Sequence, residues 1–163
     1  MATISQGVNP TQVDTSQVYP LGLEVDDPRA GNFGSGKRLK YVKASAAVSA
    51  GNAVVVDTGD STGTEPSVVV PASALNQVVA GVAEVAIANG SFGWVTVKGR
   101  VASALKTAST LTAGDTLSTT ATAGALALAN STSATALAVG SGIGAQALDS
   151  SDSNSTTIEI MLT

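Results

Sequence analysis

The chain has 163 residues, of which 44% are hydrophobic but only 3% aromatic and 12% charged, so one domain with a core of small side chains is what its length allows. It contains no cysteine and no histidine, which excludes a disulfide framework, a thiolate metal site, and the commonest general base and metal ligand. The net charge of −4 is unevenly spread: residues 1–28 carry acids alone, residues 29–43 carry bases alone, and no base follows Lys106.

Residues 1–40 hold Pro10, Pro20 and Pro28 with several Gly, Gln and Asn, and no sustained period. They read as an extended N-terminal arm, with residues 41–163 as the body. Fully stretched, such an arm reaches on the order of 130 Å. Its most apolar patch is Val18-Tyr19-Pro20-Leu21-Gly22-Leu23, which is expected to lie on another surface. A flexible Gly-rich hinge at residues 31–36 would join arm and body.

The body opens with Leu39-Lys40-Tyr41-Val42-Lys43, where Leu39 and Tyr41 share one face and Lys40 and Val42 the other. Short valine strands follow at 54–56 and 68–70, separated by a polar loop and ended by Pro71. Ala74, Leu75, Val78 and Val79 fall at helical spacing, predicting one or two helical turns within 72–79. A strand at 82–87, a hairpin at Asn89-Gly90 and a strand from Phe92 come next. In the last of these, Val95 and Val97 point one way and Trp94, Thr96 and Lys98 the other. The second half predicts strands near 117–120 and 123–128, an apolar run at 136–143, and a closing strand with Ile158, Ile160 and Leu162 on one face. Val and Thr enrichment with Gly, Asn and Ser turns means an all-β protein, with a compact β-sandwich or barrel-like body.

That body is written twice. Val48-Ser49-Ala50-Gly51-Asn52-Ala53-Val54 matches Leu111-Thr112-Ala113-Gly114-Asp115-Thr116-Leu117, and Gly81-Val82-Ala83-Glu84-Val85-Ala86 is paired with Gly142-Ile143-Gly144-Ala145-Gln146-Ala147. Gly accepts φ > 0 and Asn or Asp can bond its own backbone, so Gly51, Asn52, Gly114 and Asp115 are turn residues of two similar strand units. Duplicated strands and turns build scaffolds, and neither copy carries catalytic chemistry.

Motifs with a catalytic reading fall away on their physics. Residues 31–37 have phosphate-loop spacing, but Arg38 stands where a hydroxyl is needed, and no strand precedes. Glu84 is the only acid within an apolar strand pattern, and lone strand acids are mostly surface or interface residues. No Gly-x-Ser-x-Gly elbow meets a base. The basic band Arg29, Lys37, Arg38, Lys40 and Lys43 is too poor in aromatics, in a chain too acidic, for nucleic-acid binding; it suits docking on an acidic protein surface. No catalytic residue, cofactor or metal is expected. No basic leader and no membrane-length apolar run is present, so no membrane partner is expected either. A surface of Ser, Thr, Asn and Gly is a habit of extracellular and virion proteins.

Gly81-Val82-Ala83, then Gly90-Ser91-Phe92-Gly93-Trp94-Val95-Thr96-Val97-Lys98-Gly99, resembles the tailed-bacteriophage capsid decoration (cement) proteins. The Ala-Gly-Asn and Ala-Gly-Asp turns fit that family, and the resemblance covers about residues 40–163. It implies a structural protein on the outer capsid surface of the virion, made in the host cytoplasm. It also implies a homotrimer at threefold and quasi-threefold positions, bound to the major capsid protein and stabilising the shell. Gly90, Gly93 and Trp94 are the positions that carry the family pattern. In this reading the arm binds the capsid: Tyr19, Leu21 and Leu23 anchor it, and Arg29, Lys37, Arg38 and Lys40 meet acidic capsid surface. The alternative is a carbohydrate-binding or adhesive module of the head-fibre type, with Trp94 as its stacking platform.

Overall fold

β-Branched residues crowd a helix and suit a pleated sheet. The computed structural model describes residues 8–27, 36–58, 68–74, 77–107, 110–129, 145–151 and 154–163, and among these it has eleven strands and no helix. The strands are β1 (Val13–Asp14), β2 (Glu24–Asp27), β3 (Lys37–Ala44), β4 (Ala53–Val56), β5 (Val68–Pro71) and β6 (Val79–Ala83). They continue as β7 (Phe92–Leu105), β8 (Thr116–Thr119), β9 (Leu126–Leu128), β10 (Ala145–Ala147) and β11 (Thr157–Leu162).

The strands form two rings that share β7. In the first, β3 pairs with β5 in parallel, β5 with β4, β4 with β6, β6 with β7, and β7 returns to β3. In the second, the far half of β7 pairs with β11, β11 with β10, β10 with β8 and β8 with β9. A parallel bridge from Lys106 to Leu126 closes that ring at the place where β3 meets β5 in the first. β7 changes rings at Gly99, whose φ of 102° lies where L side chains are strained.

The duplication extends to individual hydrogen bonds. Asn52 Oδ1 accepts the Ser49 N–H at 2.7 Å, and Asp115 Oδ2 accepts the Thr112 N–H at 2.8 Å. The Gly51 N–H donates to the Ala83 carbonyl and the Gly114 N–H to the Ala147 carbonyl. Ala83 N–H returns to Asn52, and Ala147 N–H returns to Asp115. The bridges Val48–Ile87 and Leu111–Ser151 complete the correspondence. These bonds equate Ala83 with Ala147 and correct the second sequence match, which paired Ala86 with Ala147. Backbone pairing sets the register, and in a chain this rich in Ala and Gly a slip of three residues is invisible to side-chain similarity. Residues 130–144, including the apolar run at 136–143, lie outside the described residues.

Two further expectations change. The described part of 72–79 is not helical: Ser73 and Ala74 donate their N–H groups to Gln77 Oε1, and Val79 enters β6 opposite Val55. Leu75 and Asn76 lie outside the described residues. Asn89-Gly90 is a turn within the connection 84–91 and not a two-residue hairpin, because Ile87 first bridges back to Val48. Gly90 has φ 80°, and its N–H donates to Ala44.

Val42, Val48, Val54, Val69, Ile87 and Val95 fill the first ring. A larger cluster runs from Val55, Val79 and Val82 into Leu111, Leu117, Leu126, Ile158, Ile160 and Leu162, so the two units share apolar packing. The expected inward face of the last strand holds: Ile158, Ile160 and Leu162 are buried. The rings are also stitched through backbone, with Ala53 N–H donating to Gly124 and Leu105 N–H to Gly51.

Candidate functional site

Two surfaces of the first unit stand out among the described residues. The outer one is aromatic. Trp94 and Tyr41 are cross-strand partners on β7 and β3, and alternation turns both away from the ring interior. Tyr19 lies across them, with ring centroids 5.2 Å from Tyr41 and 5.3 Å from Trp94, and Phe92 stacks on Tyr41 at 6.2 Å. Leu21, Leu23 and Val8 complete the cover, so both tyrosines, the single tryptophan and one of two phenylalanines share one cluster.

Hydrogen bonds pin this cover in place. The Tyr41 hydroxyl donates to Asp14 Oδ2 at 2.9 Å and accepts the Val18 N–H at 3.3 Å. β1 adds Val13 and Asp14 to the edge of β7, and β2 runs against β3. Residues 8–27 are thus laid on the body, and Tyr19, Leu21 and Leu23, expected to anchor a capsid-binding arm, pack instead against Leu39, Tyr41 and Trp94 of their own chain. Trp94 is 1% exposed, which corrects its reading as a sugar-stacking platform: a buried indole offers no face to a ligand.

Burial, reinforced by the Asp14 carboxylate, holds the Tyr41 phenol above its ordinary value of 10.0. The protonated phenol is the form the fold favours. Its contribution is therefore complete below pH 10 and is lost as pH rises through the raised folded value. In a Tyr19→Phe variant Tyr41 is the remaining tyrosine, and ultraviolet difference titration should place its midpoint above 10. A midpoint at the ordinary value would mean that the phenol is not covered.

The equivalent face of the second unit is polar. Backbone register puts Arg100 where the first has Leu39, and Glu159 where the first has Trp94. Arg100 Nε and Nη2 donate to the two Glu159 oxygens at 2.5 and 2.6 Å. That pairing holds the Glu159 carboxyl below the usual range.

The second surface is a groove at the open end of the first ring, with a volume of about 670 Å³. Arg38, Lys40 and Lys98 stand on its rim with Glu24, and its apolar lining includes Val55, Val56, Val78 and Val79. A β-bulge builds the rim: Leu39 faces Thr96, but Arg38 faces Lys98, so the extra residue Val97 re-aims Lys98 beside Arg38. Arg38 is engaged with Asp26 at 2.9 Å, whereas Lys40 and Lys98 make no ion pair among the described residues. Val56 is 36% and Val78 57% exposed at the same groove.

The basic residues singled out from sequence are therefore dispersed. Lys37 contacts both Glu84 oxygens at 2.7 Å, and Thr96 also donates to Glu84, making an internal polar knot. Arg38 and Lys40 reach the groove. Arg29 and most of the Gly-rich hinge, residues 31–35, lie outside the described residues. Lys98, Val56 and Val78 were missed, since the bulge that recruits Lys98 has no mark in a run of alternating residues. Gly51 and Asn52, with Gly114 and Asp115, form the paired turns. Gly93 sits in β7, where a Cβ would come 2.8 Å from Ile87 Cδ1. No group of metal-ligating side chains occurs among the described residues.

A family model described as phage cement protein matches residues 33–162. Comparison with curated proteins gives no match. Among solved structures, the fold is similar to that of the N base of the head fiber gp8.5 in bacteriophage phi29. The TM-score is 0.52 at 16% identity, over 77% of this chain and 92% of that one.

Proposed function

The chain belongs to the phage cement protein family, and on that premise we propose that it is a structural protein that decorates the outer surface of the phage head, binds the major capsid protein and stabilises the shell. The family match over residues 33–162 carries this reading. The physics of the chain supports it. Small core side chains bury modest area each, so a homotrimer, at threefold and quasi-threefold positions, would add the buried surface that one copy lacks. Many copies with modest interfaces then reinforce a shell through multivalency. In this proposal Tyr19, Leu21 and Leu23 hold the arm on its own body, and the basic residues meet capsid surface. The work is non-enzymatic and needs no cofactor.

The test adds purified protein to heads that lack it and follows head disruption on heating. Saturable binding with a raised disruption temperature is expected, and light scattering after size exclusion should give three copies. Heads that neither bind the protein nor gain stability would remove the proposal.

A further inference from the structure

We infer that the groove at the open end of the first ring is the capsid-docking surface, and that its occupant is an acidic, apolar-flanked segment of the shell; this rests on the decoration reading above. Three observations converge. Lys40 and Lys98 are cations without an ion-pair partner among the described residues, in a chain whose net charge is −4. They stand beside Val56 and Val78, two of the few large apolar side chains that the described surface leaves exposed. The bulge at Val97 exists at the one point of the β3–β7 pairing where it sets Lys98 across from Arg38.

Each feature is costly without a partner. Like charges directly across a strand pair repel; on the rim Asp26 bonds Arg38 and Glu24 stands across from Lys40, which leaves Lys98 without a facing acid among the described residues. Exposed valines around an open groove gain from being covered. A segment bearing carboxylates would neutralise Lys40 and Lys98, while its apolar side chains cover Val56 and Val78. This complementarity also gives direction to encounter, because a positive groove on a negative body orients the protein on an acidic shell.

A depression on the second unit differs in character: it is lined by Asp149, Glu159 and serines, so an acidic segment would be repelled there.

The experiment compares full-length wild type with Lys40→Glu/Lys98→Glu and with Val78→Asp in pelleting on heads that lack the protein. Circular dichroism and thermal unfolding check that each variant folds, which is expected because Lys98 and Val78 are exposed and Lys40 is only half-buried. Each reversed charge should weaken binding roughly tenfold or more, and wild-type binding should fall as salt rises. Zero-length carbodiimide coupling followed by mass spectrometry should join Lys40 or Lys98 to an Asp or Glu of the shell. Folded variants that bind as well as wild type would overturn the groove while leaving decoration intact. Couplings to a second copy of this chain or to its own acids would overturn the assigned occupant. Failure of the wild type itself to bind would fall on the decoration reading.

Discussion

Replacing Gly124 with alanine should lower stability by about 3–5 kcal/mol, whereas the same change at Gly114 should cost about 1 kcal/mol. Both glycines have positive φ, 72° and 96°, so both substitutions meet backbone strain of about 1–2 kcal/mol at most. The difference lies in what surrounds them. A Cβ at Gly114 meets nothing within 4 Å. At Gly124 it would overlap Nδ2 and Cγ of Asn52 and lie 2.7 Å from Asn52 Cβ, so rotating the amide away does not make room. Asn52 is fixed by its bond to Ser49, and Gly124 is fixed by backbone bonds to Ala53 and Ala72. The clash must therefore push the two rings apart, adding an overpacking cost of about 1–3 kcal/mol and weakening those bonds. For a chain of this length the melting temperature should drop by on the order of 10 °C for Gly124→Ala, against a few degrees for Gly114→Ala. Removing the obstacle supplies the control: Asn52→Gly with Gly124→Ala should cost less than the two single changes added together. Equal losses at Gly124 and Gly114 would show that the rings do not dock through this turn.

Gly51 illustrates what the sequence reveals and what it hides. Its turn and that of Gly114 are legible as repeated text, because φ > 0 restricts the residue and the Asn or Asp bond restricts its neighbour. Their different surroundings are not legible. A Cβ at Gly51 would come 2.9 Å from the Ser103 carbonyl, a contact made across the two rings, while Gly114 faces open space. The strands followed the same divide. Alternation gave the inward faces of β7 and β11, since period two is a local property. The closure of each ring was hidden, because it depends on parallel pairing between β3 and β5, and between Lys106 and Leu126, that leaves no mark in either partner. The groove was half legible: Arg38 and Lys40 belong to a visible basic band, but Lys98 joins them only through a bulge. The arm was legible as a segment unlike the rest, and its apolar centre announced a need for cover. That the cover would be Trp94 and Tyr41 of the same chain required the fold.

That cover makes the arm a structural part of the first unit, and Trp94 reports on it directly. Trp94 is the only tryptophan, so its fluorescence is the emission of a single site. It is 1% exposed beneath Tyr19 and beside Tyr41, whose ring centroid lies 5.0 Å away. Trp94→Ala should cost about 3–5 kcal/mol, the usual range for deleting a buried aromatic. Tyr19→Ala removes two aromatic contacts, each contributing about 0.5–1.5 kcal/mol beyond burial, and opens the cluster to water. The body should stay folded, because Val42, Val54, Val69 and Val95 fill its ring independently of this face. Its tryptophan emission should shift to the red, and amides of residues 8–23 should lose protection from hydrogen exchange while those of β4 and β6 keep theirs. The buried indole N–H makes this opening easier: Nε1 has no hydrogen-bond partner among the described residues, so the closed cluster forgoes a bond that water supplies once the arm lifts. If Tyr19→Ala leaves emission and exchange unchanged, the arm is not what keeps Trp94 dry. If it unfolds the ring as well, arm and body form one cooperative unit and the separate packing of the valine core is wrong.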